Sequence, residues 1–302
     1  MSQQFVFTAI GGPEHQKLID VPAPQPRPGQ LAVKVRAAGV NPVDWKLRTG
    51  YLGKDLAVPH PLGTEVAGTV TALGEGVEDF AIGDDVLGPV APGYGGFAQD
   101  TILDASSAVA KPEEISFADA ATLPVAGATA YDGTHQIELE KGQVLLILGA
   151  GGGVGLMAAQ IGRVHQFAVI GVASESKREV VEETGATFIA SGPGVVDRAR
   201  GAAPGGVDLI LDLVGGDALR ELAPLAQDPA TIISAADGPT AEELGGSQLV
   251  RTVEALEKIT GVVEYNLVDP HVSALYPLDK AADALAAVEN GHATGKIVLE
   301  MR

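Results

Sequence analysis

From Gln143 to Gly162 the chain carries no formally charged residue, and this one stretch limits what the rest can be. Its length suits a membrane-spanning helix of about 20 residues. Its glycines do not: Gly149, Gly151, Gly152, Gly153, Gly155 and Gly162 would break such a helix near its middle. A buried strand, a glycine turn and a buried helix fit the same residues. Val144-Leu-Leu-Ile-Leu148 supplies the strand, Gly149-Ala-Gly-Gly-Gly-Val-Gly155 the turn, and Leu156-Met-Ala-Ala-Gln160 the opening of the helix.

That order has a chemical meaning. A dinucleotide pyrophosphate needs a sharp turn, a backbone it can approach without Cβ atoms, and helix N–H groups aimed at it. We assign Gly149, Gly151, Gly152, Gly153, Val154 and Gly155 to this task; the plainer use is a tight packing turn. The next strand follows about 20 residues on, as the dinucleotide pattern requires. It ends in Ala168-Val-Ile-Gly-Val-Ala-Ser174, without the acid that commonly holds the ribose hydroxyls of NAD. Glu175 comes one step late, and Lys177 and Arg178 follow. Ser174, Lys177 and Arg178 therefore suit a 2′-phosphate, which points to NADPH. Solvating the first turn of a helix is the other use of these cations, but a helix N-terminus disfavours positive charge.

The surroundings agree with an α/β protein. After Val144–Leu148, apolar strands are expected at Ala168–Val172, Thr187–Ala190, Asp208–Leu213 and Thr231–Ala235, with helices near Gly155–Val164 and Lys177–Thr184. Fully apolar strands alternating with helices argue a parallel sheet covered on both faces. The first third reads as short strands at Phe5–Ile10, Leu31–Ala37, Thr64–Leu73 and Asp85–Val90, with the prolines of Val21–Gly29 holding an extended loop. Ser116-Phe-Ala-Asp119 opens a helical run with a serine N-cap. A polar segment near 237–248 precedes helices at Leu249–Ile259 and Pro277–Glu289 and a last strand at Lys296–Glu300. The layout is a β-rich domain interrupted by an α/β domain.

Composition removes several alternatives. With 20 basic and 39 acidic residues the net charge is −19, which repels phosphate backbones and excludes a nucleic-acid partner. The absence of cysteine rules out disulfides, thiolate metal sites and a thiol nucleophile. Apolar residues make up 46%, enough for a sizeable core. No basic and then apolar leader opens the chain, so a soluble, cytoplasmic protein without membrane attachment is expected.

The order of motifs resembles the zinc-free quinone oxidoreductases, the zeta-crystallin-like branch of the medium-chain dehydrogenase/reductase superfamily. The matching segments are Ala38-Gly-Val-Asn-Pro-Val-Asp44, Leu62-Gly-Thr-Glu-Val-Ala-Gly68, Gly83-Asp84-Asp85-Val86, Tyr94-Gly-Gly-Phe-Ala98, Ala121-Thr-Leu-Pro-Val-Ala-Gly127, the glycine turn, Asp212-Leu-Val-Gly-Gly216 and Gly291-His-Ala-Thr-Gly-Lys296. The resemblance implies a GroES-like substrate domain over 1–121, a Rossmann domain with a doubly wound parallel sheet over 122–250, return of the chain to the substrate domain over 251–302, and a homodimer. Zinc-dependent alcohol dehydrogenases share this scaffold. They place a cysteine just after the Ala-Gly-Val turn, a histidine before the next acid, and a third ligand ahead of the Rossmann domain. This chain has Asn41, Thr64 and Val125 at those places, and none replaces a thiolate or an imidazole. Its histidines, His15, His60, His135, His165, His271 and His292, have no ligand spacing and read as solvated or hydrogen-bonded structural residues. No metal is expected.

Zinc-free members of the family reduce quinones or α,β-unsaturated carbonyls. Hydride lands on carbon and charge develops on a conjugated oxygen, so a donor near that oxygen is the protein's contribution. The family lines its nicotinamide cleft with Asn41-Pro-Val-Asp-Trp-Lys46 and Tyr51. Asn41 and Lys46 are the first candidates as donors, Tyr51 the third, and Asp44 orients its neighbours. Trp45 either stacks a planar substrate or serves a core or interface. Two departures stand out: Ser191-Gly192 replaces a tyrosine that relatives carry beside the adenosine phosphate, and Lys46 stands where relatives often have tyrosine. A biosynthetic enoyl-thioester reductase and a non-catalytic NADPH-binding protein are the competing functions.

Overall fold

The computed structural model describes residues 1–291 and 293–301, and its chain divides into two compact units. One is formed by 1–125 together with 272–302, the other by 126–271.

The first unit opens with β1 (Ser2–Phe7), β2 (Gln16–Val21) and β3 (Gln30–Val40), followed by helix α1 (Pro42–Thr49). β4 (His60–Pro61), β5 (Glu65–Leu73), β6 (Asp85–Pro89), β7 (Asp100–Asp104), β8 (Val109–Ala110) and α2 (Phe117–Ala120) follow. The proline segment expected as an extended loop separates β2 from β3 without regular structure. β3 is the longest strand and the organising one, antiparallel to β5 on one side and to β7 over its first half. The serine N-cap read from the sequence is present: Ser116 Oγ accepts the Asp119 N–H at 3.0 Å. The motif segment that opens α1 is helical, and its signals are explicit in hindsight. Asn41 is the N-cap, Pro42 stands at the first helical position, and Asp44 completes a capping box.

The second unit is a six-stranded, wholly parallel sheet. After α3 (Ala128–His135) come β9 (Val144–Leu148), α4 (Gly153–Val164), β10 (Ala168–Ala173), α5 (Arg178–Glu183), β11 (Thr187–Ala190) and α6 (Val195–Ala202). β12 (Leu209–Asp212), α7 (Gly216–Leu222), β13 (Ile232–Ser234), α8 (Gly238–Glu243), β14 (Ser247–Gln248) and α9 (Ala255–Glu264) complete it. The strand order β11-β10-β9-β12-β13-β14 reverses direction of growth at β9, the mark of a doubly wound sheet. Leu145, Leu146 and Ile147 at its centre are fully buried, each worth about 1.5–3 kcal/mol in apolar burial. The helix expected at Leu249–Ile259 starts later, at Ala255. Thr252 is held by both its N–H and its hydroxyl to the buried Asp132 of α3, which keeps the preceding residues out of helical register. Residues 251–271 lie in this unit, where α9 packs on α3.

The chain then returns to the first unit through β15 (Val272–Pro277), α10 (Ala281–Glu289) and β16 (Lys296–Glu300). β16 pairs antiparallel with the far half of β3, setting Val40 opposite Ile297. Phe7, Leu31, Val33, Val66, Phe97, Leu285 and Leu299 close a single core beneath this sheet. No helix among the described residues is long and apolar enough to cross a membrane.

Candidate active site

In the second unit the candidate site is made of backbone. β9 ends at Leu148 and Gly149 takes φ +96°, a left-handed conformation that favours glycine. The Gly149 and Ala150 N–H groups both donate to Val172 O of β10, at 2.9 and 3.0 Å, which pins the turn to the sheet. Gly155 allows α4 to pack down, since a Cβ there would lie 2.5 Å from Gly149 O. Gly152 is different. It is the N-cap of α4, no side chain caps it, and a Cβ there would meet nothing nearer than Gly149 O at 3.7 Å. The first amides of α4, from Gly153 through Val154 to Gly155, thus begin beside open space, and the helix dipole adds to their pull on an anion. A pyrophosphate group fits this cradle.

Beside it, the strand β10 ends at Ala173, and the Ser174 and Ser176 hydroxyls lie 3.1 Å apart. The stem of Lys177 covers Gly151, where a Cβ would meet Lys177 Cδ at 2.4 Å, and burial lowers the pKa of its ammonium. Arg178 is placed otherwise than the sequence suggests. It binds both oxygens of Glu175, at 2.7 and 3.1 Å, reaches Glu182 at 3.1 Å, and stacks over Phe188. Its charge is spent on its own neighbourhood. A cation overlooked in the sequence lies on α6, just after the adjacent loop. Ala173 is in register with Ala190, and Ser191 N–H donates to Ala173 O, so the loops after β10 and β11 run side by side. Arg198 caps the second loop, donating to Ala190 O at 2.6 Å, Pro193 O at 2.9 Å and Gly192 O at 3.3 Å. With Arg178, whose hydrogen bond acts most strongly, it holds Glu175 below the usual carboxylate range.

In the first unit the site is made of buried side chains. Asn41, expected as a free donor, is only 4% exposed and its amide is committed at both ends. Oδ1 accepts from Lys296 Nζ at 2.6 Å, while Nδ2 donates to Glu65 Oε1 at 2.6 Å and reaches Gly39 O at 3.5 Å. Lys296 also donates to Glu65 Oε1 at 2.9 Å and to Val40 O at 3.2 Å. The second oxygen of Glu65 accepts the Val125 N–H at 2.7 Å. Glu65 and Lys296 were missed in the sequence. A charge inside an apolar strand signals a buried partner, but does not say which one. Asp44 orients its surroundings as expected, accepting the N–H of Asn41 at 2.8 Å and of Gly63 at 3.2 Å. Burial pushes its carboxyl up to about 7, against the pull of these N–H groups and of Lys296 and with a small push from Glu65.

This node fixes the start of α1, and α1 carries the exposed chemistry. Lys46 Nζ lies 5.9 Å from the centre of the Trp45 ring and 5.4 Å from that of Tyr51. Trp45 packs on the core, whereas Tyr51 is 71% exposed. The structure thus brings Lys46 and Tyr51 together, and Asn41 is buried at the N-cap of the same helix. Among the described residues the histidines gather no site: His15 sits by Glu14, His60 by Phe7, His135 stacks on Tyr131 and His165 on Phe167, and these two imidazoles meet edge to face. His271 donates its backbone N–H to its neighbour Asp269, and His292 lies outside the described residues. Among the described residues no group of three or more potential ligands could hold a metal ion.

The family model for the alcohol dehydrogenase GroES-like domain matches residues 27–113, and that for zinc-binding dehydrogenases matches 179–299. The chain is 33% identical to the quinone oxidoreductase of Mus musculus over 320 residues, covering 96% of this chain and 95% of that protein. It is 30% identical to the 2-methylene-furan-3-one reductase of Solanum lycopersicum, over 97% and 77% of the two chains. The solved quinone oxidoreductase of Coxiella burnetii matches all of both chains with a TM-score of 0.89 at 29% identity. A GroES-like unit and a Rossmann unit with a glycine-rich turn after its first strand define a medium-chain dehydrogenase/reductase, and within that superfamily the chain belongs to the quinone oxidoreductase, zeta-crystallin-like branch. It is an oxidoreductase.

Proposed function

We propose that this oxidoreductase uses NADPH to reduce quinones or α,β-unsaturated carbonyls, without a metal ion. The observation that carries the reading is the ammonium of Lys46 flanked by the Trp45 and Tyr51 rings: two donors, Lys46 and Tyr51, on one short segment, with no thiol and no imidazole at positions 41, 64 or 125. Such a set stabilises a developing oxyanion and has no strong base for withdrawing a proton from an alcohol. When bound, the nicotinamide supplies a hydride, two electrons with one hydrogen nucleus, to the acceptor carbon. The π pair of the conjugated system moves onto oxygen, where Lys46 and Tyr51 meet it, and water provides the proton that completes the product. Asn41 and Asp44 hold α1 in place for this task.

The turn Gly149–Gly155, including the Val154 amide, would hold the pyrophosphate. Ser174, Lys177 and Arg198 would face the adenosine phosphate, with Arg178 released from Glu175 or left to its carboxylates. The names of the mouse and tomato relatives, a quinone oxidoreductase and an enone reductase, support this choice of acceptor. The reading keeps the expected homodimer, which light scattering measures directly.

Steady-state NADPH oxidation against quinones, enals, enones and enoyl thioesters tests the function. Turnover of the first three is expected, with Lys46→Ala lowering kcat by about a hundredfold and leaving nicotinamide affinity near wild type. Lys177→Ala should lose about 1–2 kcal/mol of preference for NADPH over NADH. Selective use of enoyl thioesters moves the enzyme to the biosynthetic class, and ready oxidation of simple alcohols restored by zinc defeats the proposal.

A further inference from the structure

Gly63 and Glu65 are both fastened to the start of α1, Gly63 by its N–H on Asp44 Oδ1 at 3.2 Å and Glu65 by its carboxylate on Asn41 at 2.6 Å. Thr64 stands between them with its backbone equally fixed, its carbonyl accepting the Val90 N–H at 3.0 Å. Its side chain is not. The residue as a whole is half-buried, yet Oγ1 is fully buried and has no hydrogen-bond partner. Other buried polar atoms in that condition, on Ser2, Gln16 and Thr101, belong to strands that do not bond to the α1 cap; Arg48 Nε lies in the last turn of α1, and its guanidinium is held by Glu289 at 2.6 Å.

A buried hydroxyl without a partner costs roughly 1–3 kcal/mol of desolvation, and an apolar group of the same shape avoids it. Packing alone would therefore favour valine at position 64. The hydroxyl is explained if its partner arrives with the ligand. We propose that Thr64 is a further catalytic residue, donating a hydrogen bond to the substrate oxygen on which charge develops. This rests on the reductase reading above. The residue is only half-buried, and with no bond to break its side chain can change among staggered rotamers about χ1 as the ligand arrives. The balance of the reaction is unchanged. The hydride's electron pair becomes the new C–H bond, the displaced π pair finishes on the oxygen, Thr64 keeps its own proton throughout, and water still protonates the product.

Thr64→Val and Thr64→Ser decide the matter when kcat for a quinone and an enone is measured together with the thermal midpoint. Thr64→Val should lower kcat by about a hundredfold, with nicotinamide KM unchanged and a midpoint equal to or above that of the parent. Thr64→Ser should recover at least about tenfold of that loss, because it restores the donor. A parental kcat in Thr64→Val overturns the proposal. So does a lowered midpoint, which would give the hydroxyl a structural partner, or a Thr64→Ser variant as slow as Thr64→Val, which would assign the effect to the methyl group. A wild-type protein that reduces neither acceptor defeats the reductase reading itself, and no variant is needed to see it.

Discussion

The two units build their candidate sites by opposite means. In the second, the working surface is backbone: a contiguous run from Gly149 to Gly155 in which glycines do their work by lacking side chains. In the first, it rests on four buried polar side chains, Asn41, Asp44, Glu65 and Lys296, drawn from three distant segments. A backbone site tolerates change wherever the added atom meets space. A node of buried charges tolerates almost none, since removing one partner strands the other in a medium that cannot solvate it.

The largest effect should therefore come from the node. Lys296→Met leaves the Glu65 carboxylate buried with only the Asn41 amide and the Val125 N–H to answer its charge, and breaking such a pair costs about 3–5 kcal/mol. Urea unfolding measures it; a change below about 1 kcal/mol, the range of surface ion pairs, would erase the distinction drawn above.

A middle-sized effect separates two glycines of the turn. Gly155→Ala forces a Cβ against Gly149 O at 2.5 Å and Ala150 Cα at 2.6 Å, an overpacking of about 1–3 kcal/mol. Gly152→Ala meets only an ordinary contact at 3.7 Å and should keep nearly parental stability while losing about tenfold or more in nicotinamide affinity. Parallel unfolding and fluorescence titrations test both, and equal stability of the two variants would sink the packing account of Gly155.

The last effect is spread over pH rather than concentrated in one variant, and it comes from Asp44. Its folded carboxyl titrates near 7, above the ordinary 3.8, because burial penalises the charge more than Asn41, Gly63 and Lys296 favour it. The protonated form is thus preferred by the folded state, so Asp44 contributes most at acid pH and loses that contribution as pH rises towards 7. Relative to Asp44→Asn, wild-type stability should fall from about pH 5 to pH 7 and level off above. A flat difference would mean that the lysine and the N–H groups already hold Asp44 ionised.

This contrast also explains what could be read from the sequence. β9, β11 and β16 have the bounds expected of them, because apolar runs between turn residues mark buried strands directly. The glycine turn was legible for the same local reason. Helix α1 carried a full capping signature at Asn41, Pro42 and Asp44, and only the attention paid to its chemistry hid its geometry. The node was not legible, because Lys296 lies 255 residues from Asn41 and nothing local joins them. Arg178 and Arg198 make the point at small scale. The cation next to the motif turned to Glu175, while the one on the neighbouring helix α6 reached the end of the sheet.

The pairing of Glu65 with Lys296 across 231 residues also orders the life of each new molecule. The second unit is continuous and leaves the ribosome whole, free to fold as soon as residue 271 has emerged. The first unit begins earlier and must finish later, since Glu65 has no counter-charge until β16 is translated. Until then its carboxylate cannot be buried at low cost. The core of the first unit is thus closed by residues that follow the whole of the second.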